Sequence, residues 1–247
     1  MHQQNLIPLP TTNFEATLKF NFFVRFELFK IKNKKVRLFI CHYNLKSYSP
    51  IFFSIFGIEL PSHISRSSIK RQSEYLAGRF AAYTALKSLG ENLKTLNVDE
   101  NFAPRWEKGI HGSISHNNTI ALCVISLEPE HKYVGVDIEE IITTDVCQEI
   151  KNKIIFYKTE YKIVKESTQP EKAFTIIFSS KESLFKAIYP YIQTKKIGFE
   201  TSNAKKIEDN CLHLELNLPQ SKSNLIHLNS IRSHYWKYGN NVSINLK

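Results

Sequence analysis

Cysteine is scarce in this sequence and widely spaced. The four cysteines stand at 41, 123, 147 and 211, with no C-x-x-C pair and no histidine at zinc-binding spacing. That excludes a disulfide scaffold and a structural zinc module. It predicts reduced, mostly buried thiols and a cytoplasmic protein. Long apolar runs are also missing. The most apolar early stretch, Ile51 to Leu60, is half the length of a bilayer-spanning helix, which needs about 20 residues. It reads as a core segment beside a turn. The opening residues MHQQNLIPLPTTNF have neither a basic start nor a long apolar stretch, so no secretory signal is expected there. Neither low-complexity tracts nor solenoid-type repeats are visible. Acidic residues are in deficit, 23 Asp+Glu against 33 Lys+Arg, for a net charge of +10. Such a surplus favours an anionic partner: nucleic acid, a phosphorylated small molecule, an acidic protein or an anionic membrane. Charge alone does not choose among them.

What is present is an ordinary globular chain of 247 residues, 42% hydrophobic, long enough for one large domain or two small ones. Residues 14–60 read as strands and turns, with Phe20, Phe22, Val24 and Phe26 alternating as a half-buried strand would. Lys30 to Arg37 is a basic turn leading into the next strand. The clearest helix spans 65–89, with serine caps at its entry and Gly90 at its exit. Strands are expected at 119–127 and 133–139, and a lysine-rich helix at 145–165. A second strong helix runs from Ser179 to Ile188. Beyond Pro190, short strands are expected at 196–200, 211–218, 225–235 and 241–246. This order suggests two α/β halves, 1–127 and 128–247.

Four segments carry chemistry. In Gly135-Val136-Asp137-Ile138-Glu139, strand periodicity puts Asp137 and Glu139 on one face. Two carboxylates there either hold a hard cation such as Mg²⁺ or form the solvated side of a strand end. In Ser179 to Lys186, Glu182 is either a third carboxylate or the N3 partner of Ser179 in a capping box. Lys186, one turn on, would favour a bound phosphate. In Gly112 to Asn117, neighbouring Ser115 and His116 point to opposite faces of an extended segment, so neither serves the other as a catalytic base. They suit phosphate binding, or His116 is structural. In Arg71 to Arg79, two arginines about two turns apart form either a phosphate fork or a solvated face with an Arg–Glu pair.

The order of these segments along the chain is more telling than any one of them. R-x-x-E-Y-x-x-G-R (Arg71–Arg79), W-x-x-G-x-x-G-S-I-S-H (Trp106–His116), G-V-D-I-E (Gly135–Glu139) and F-S-x-K-E-S-x-F-K-A (Phe178–Ala187) follow one another. Together they closely resemble the 4′-phosphopantetheinyl transferases, on the branch that includes enterobactin synthetase component D. The likeness covers about residues 65–200. It implies an α+β fold, a pseudodimer of two similar α/β halves with the active site in the cleft between them. It implies transfer of the phosphopantetheine arm of coenzyme A, the co-substrate, to a serine of an acyl, peptidyl or aryl carrier protein, with release of 3′,5′-ADP. Asp137, Glu139 and Glu182 would hold Mg²⁺, with Mn²⁺ as an alternative. Glu182 would take the serine proton, and Lys186 would neutralise the transferring phosphate. Arg71, Arg79, Ser115 and His116 map to positions that bind coenzyme A phosphates. The branch serves siderophore and other nonribosomal peptide or polyketide pathways, including antibiotic biosynthesis. The internal duplication implies a monomer.

The likeness departs at Asn101 to Pro104, which lack a basic residue that Arg105 would supply, and at Asn117, where close relatives often carry cysteine. Two other readings compete. A nucleic-acid-binding protein would use the basic patches Lys30–Arg37 and Lys151–Lys165, but it has no role for three grouped carboxylates and lacks the usual motifs. A degenerate relative would bind carriers without catalysis, against which the intact Asp137, Glu139, Glu182 and Lys186 argue.

Overall fold

The computed structural model describes residues 6–11, 14–92, 95–192, 198–218, 226, 230–238 and 241–246. The chain falls into two compact units, 4–132 and 133–247. The first contains β1 (Leu6–Leu9), α1 (Glu15–Leu18), β2 (Phe23–Ile31), β3 (Val36–Tyr43), α2 (Ile51–Ile55), α3 (Ser62–Ser65), α4 (Ile69–Lys87), β4 (His111–His116) and β5 (Ile120–Ser126). Its five strands form an antiparallel sheet in the order β1-β2-β3-β5-β4.

Helix α4 packs on this sheet. Its start is set by Ser68, whose side chain accepts from the Arg71 N–H at 3.2 Å. Past its end, Gly90 takes φ +85°, the left-handed conformation that glycine adopts without strain. Fully buried Ala77, Ala81 and Ala85 recur every fourth residue and let the helix lie close. Phe80 meets Phe23 at 4.3 Å and Phe26 at 5.5 Å between ring centroids.

The expected alternation over Phe20–Phe26 is corrected here. Strand β2 starts only at Phe23, and its register shifts between Phe23 and Arg25. That irregularity turns Phe22, Phe23 and Phe26 inward and leaves Phe20 and Val24 exposed. The stretch 14–60 also contains α1 and α2, not only strands and turns. In α2, Phe52 and Phe53 are buried, which agrees with a core segment.

The second unit contains β6 (Val136–Glu140), α5 (Thr144–Ile154), α6 (Lys158–Glu166), α7 (Pro170–Ile192), β7 (Ser202–Glu208), β8 (Cys211–Leu216), β9 (Ser230–Tyr238) and β10 (Asn241–Leu246). Its antiparallel sheet runs β6-β10-β9-β8-β7, and α7 packs on it. Each unit is therefore a five-stranded antiparallel sheet with one long helix, the duplicated α+β architecture that the sequence implied.

Several boundaries differ from expectation. The lysine-rich helix is two helices, α5 and α6, broken at 155–157. Helix α7 begins at Pro170, nine residues before Ser179, and Pro190 lies within its last turn rather than ending it. Of the expected strand 196–200, residues 196–197 lie outside the described residues, and Phe199–Thr201 form a 3₁₀ turn. Strand β7 follows instead. Of 225–235, residues 225 and 227–229 also lie outside the described residues. No described helix is long and apolar enough to cross a membrane.

Gly135 shows why α7 and β6 meet so closely. A Cβ at 135 would lie 1.9 Å from the Ser183 carbonyl oxygen and 2.9 Å from the Ala187 Cβ. Backbone cannot yield as a flexible side chain does, so Gly135→Ala must push β6 off α7. The expected cost is about 1–3 kcal/mol, read as a lowered urea midpoint. An unchanged midpoint would show that the strand shifts freely.

Candidate active site

Strand β6 places Asp137 almost wholly inside the second unit, at 3% exposure. Helix α7 presents Ser179, Glu182 and Lys186 on one stripe, three and four residues apart. The Lys186 ammonium donates to Asp137 Oδ1 at 2.7 Å, and the Ser179 hydroxyl donates to Asp137 Oδ2 at 2.8 Å. Ser179 is therefore not a helix cap. The capping-box alternative fails because the helix is already in its third turn at this point.

Glu139 shares the face of Asp137 and lies within the field of its charge. Burial first, then the Asp137 charge, pushes Glu139 up to about 8, with Lys186 opposing. Burial also raises Glu182 above the ordinary carboxylate range, opposed by Lys186 and reinforced by Asp137. The three carboxylates thus crowd one another.

Among the described residues, no three His, Cys, Asp or Glu side chains are arranged to hold a metal ion as they stand. The chemistry of the carboxylate set nonetheless fits a hard divalent cation. It offers only oxygen donors, and the carboxylates lie in one another's field, a repulsion that a cation between them would relieve and that Lys186 relieves in part at Asp137.

A second set lies in the first unit. Arg71, Glu74, Tyr75, Gly78 and Arg79 of α4 line a cavity of about 340 Å³ with His63, Phe102, Ile114 and His116. Arg71 Nη1 stands 3.2 Å from His116 Nε2 and 3.6 Å from Glu74 Oε2. Arg79 is 5% exposed, its guanidinium lies 4.7 Å over the Tyr75 ring, and its buried Nε has no hydrogen-bond partner. The structure thus brings Arg71, Arg79 and His116 to one cavity. The Arg–Glu pair is also present, with the Arg71 side chain 46% exposed where it lines the cavity, so the two alternatives coexist at this residue. Ser115 is buried and is not part of the lining, because β4 turns it away from His116.

Other motif residues serve this frame. A Cβ at Gly112 would lie 2.7 Å from the Trp106 ring, so glycine lets the indole pack against β4. The Asn117 side chain accepts from the Thr119 and Ile120 N–H groups at 3.0 and 2.9 Å, shaping the turn into β5. Sequence reasoning left out Glu74 and Tyr75 as cavity residues. Their signal was the same helical spacing that grouped Arg71 with Arg79.

Comparison with known proteins identifies the family. Residues 60–126 match the 4′-phosphopantetheinyl transferase N-terminal domain, and residues 133–239 match the 4′-phosphopantetheinyl transferase superfamily. Enterobactin synthase component D of Salmonella typhi is 33% identical over 186 residues, covering 74% of this chain and 75% of that protein. The chain belongs to the 4′-phosphopantetheinyl transferase superfamily. It is also similar to enterobactin synthase component D of Escherichia coli K12, 36% identical over 126 residues, 51% of this chain and 59% of the relative. The 4′-phosphopantetheinyl transferase Npt of Nocardia iowensis is 26% identical over 147 residues, 59% of this chain and 64% of that one. This transferase phosphopantetheinylates carrier proteins. The grouped acids and the arginine cavity fall in the two separate matched stretches, one in each.

Proposed function

We propose that this transferase takes the 4′-phosphopantetheine arm of coenzyme A and places it on a carrier-protein serine, releasing 3′,5′-ADP, in a siderophore or related nonribosomal peptide or polyketide pathway. The observation that carries the reading is Lys186 donating to Asp137 at 2.7 Å with Glu182 on the same helix stripe. Chemically, the serine oxygen attacks the pantetheine-side phosphorus of the pyrophosphate. A new P–O bond forms, the P–O bond to the leaving phosphate breaks, and that phosphate departs as part of 3′,5′-ADP. The serine proton passes to Glu182 through a water, because a carboxylate that also holds a cation is a weak base for direct transfer. Lys186 neutralises the charge that grows on the phosphates. Asp137, Glu139 and Glu182 would hold Mg²⁺, or Mn²⁺ in its place, which supplies Lewis-acid neutralisation of the pyrophosphate. Arg71, Arg79 and His116 bind coenzyme A phosphates, a role supported by the cationic lining of their cavity and the buried Arg79 guanidinium. The siderophore pathway is supported by the relatives named enterobactin synthase component D. The same reading makes the protein a cytoplasmic monomer, with its four cysteines free.

The test is intact-protein mass spectrometry. With Mg²⁺ and coenzyme A, an apo carrier should gain about 340 Da, the mass of the attached arm. Carriers from several pathways, tried side by side, identify the pathway. If all stay unmodified while a control transferase modifies them, the proposal fails.

A further inference from the structure

Ser179 neither holds the cation nor moves the proton, yet its geometry is unusual. A serine or threonine inside a helix ordinarily returns its hydroxyl to a carbonyl of the preceding turn. Several in this chain do so: Thr175 to Glu171 O at 2.7 Å, Ser73 to Lys70 O at 2.8 Å and Ser88 to Ala85 O at 2.7 Å. Ser179 instead donates across to strand β6, to Asp137 Oδ2 at 2.8 Å, with both residues buried. Its neighbours Ser180 and Ser183 are equally buried, and their hydroxyls have no hydrogen-bond partner. Burial on this helix therefore does not by itself force a serine to reach a carboxylate.

The bond has a clear consequence. A hydroxyl has one proton to give, and Ser179 gives it to the oxygen of Asp137 that Lys186 does not use. Lys186, seven residues on, leans back along the same stripe to Oδ1. The carboxylate is thus held at both oxygens by one helix, and its rotation is fixed. We infer that Ser179 is a positioning residue, which orients Asp137 for the divalent cation. This rests on the metal reading of Asp137, Glu139 and Glu182.

The experiment measures Mn²⁺ binding to the purified full chain by electron paramagnetic resonance, without coenzyme A or carrier. Ser179→Ala removes the hydroxyl and leaves the packing nearly intact, so far-ultraviolet circular dichroism should be unchanged. The expected result is Mn²⁺ affinity weakened about 10–100-fold, the usual effect of losing a group that orients a ligand. Ser179→Thr, which restores a hydroxyl, should recover most of the loss. Equal Mn²⁺ affinity in wild type and Ser179→Ala overturns the positioning role. No Mn²⁺ binding by the wild type overturns the metal reading on which it rests.

Discussion

Asp137→Ala is expected to reduce carrier modification by at least about 10³-fold, the scale of losing a main electrostatic element of a reaction centre, while leaving the protein folded. The substitution strips Lys186 and Ser179 of their shared acceptor and removes one of three grouped charges. Stability should change little. The Lys186 side chain is 28% exposed and can turn to water, and loss of Asp137 relieves the repulsion that lifts Glu139. A time course of carrier mass, paired with a thermal melt, separates the two effects. Asp137→Asn, which keeps the shape and removes the charge, should be nearly as inactive. Activity near that of the wild type in either variant would place the reaction centre elsewhere.

Glu160→Gln is expected to destabilise the second unit by about 3–5 kcal/mol, the usual result of leaving a buried charge without its partner. Lys181 and Glu160 are both fully buried and meet at 2.7 Å. The ammonium uses all three protons: Glu160 Oε1, Ile154 O at 3.0 Å and Phe199 O at 3.0 Å. Every partner of Glu160 is in turn a donor. Oε1 accepts from Lys181 and the Ala204 N–H, and Oε2 accepts from the Phe156 and Tyr157 N–H groups. A glutamine has one accepting end and one donating end. Whichever way it turns, its NH₂ faces two donors. Urea unfolding reads the loss. Lys181→Met should cost less, because Glu160 keeps three backbone N–H groups. If Glu160→Gln proved as stable as the wild type, this cage would not be what ties α5, α6 and β7 to α7.

Both predictions concern carboxylates whose cationic partners, Lys186 and Lys181, stand on α7, and they show where the sequence was legible. Helix α4 could be read because its signals are local: Ser68 at the start and Gly90 after the end. The shared face of Asp137 and Glu139 could be read because a strand has period two. The start of α7 was missed because Ser179 and Glu182 imitate a capping box. The better signal was the apolar spacing of Ala173, Phe174, Ile176 and Ile177, all buried, which carries the helix back to Pro170. The strand at Phe20–Phe26 was misplaced because an irregularity in pairing moves side chains between faces without altering composition. Lys181 gave no sign of its role, since its partner is 21 residues away and on another helix.

The sequence by itself determined the kinds of chemistry, their order along the chain and the family. Those depend on residue type and on spacing within single elements. Tertiary structure alone decided which partner each group takes. It gave Asp137 to Ser179 and Lys186, paired Lys181 with Glu160, and turned Ser115 away from the cavity that His116 lines. The reason is physical: periodicity and capping act over one or two turns, whereas a hydrogen bond between a helix and a strand depends on how closely the two pack. At Gly135 that closeness rests on the absence of a single side chain.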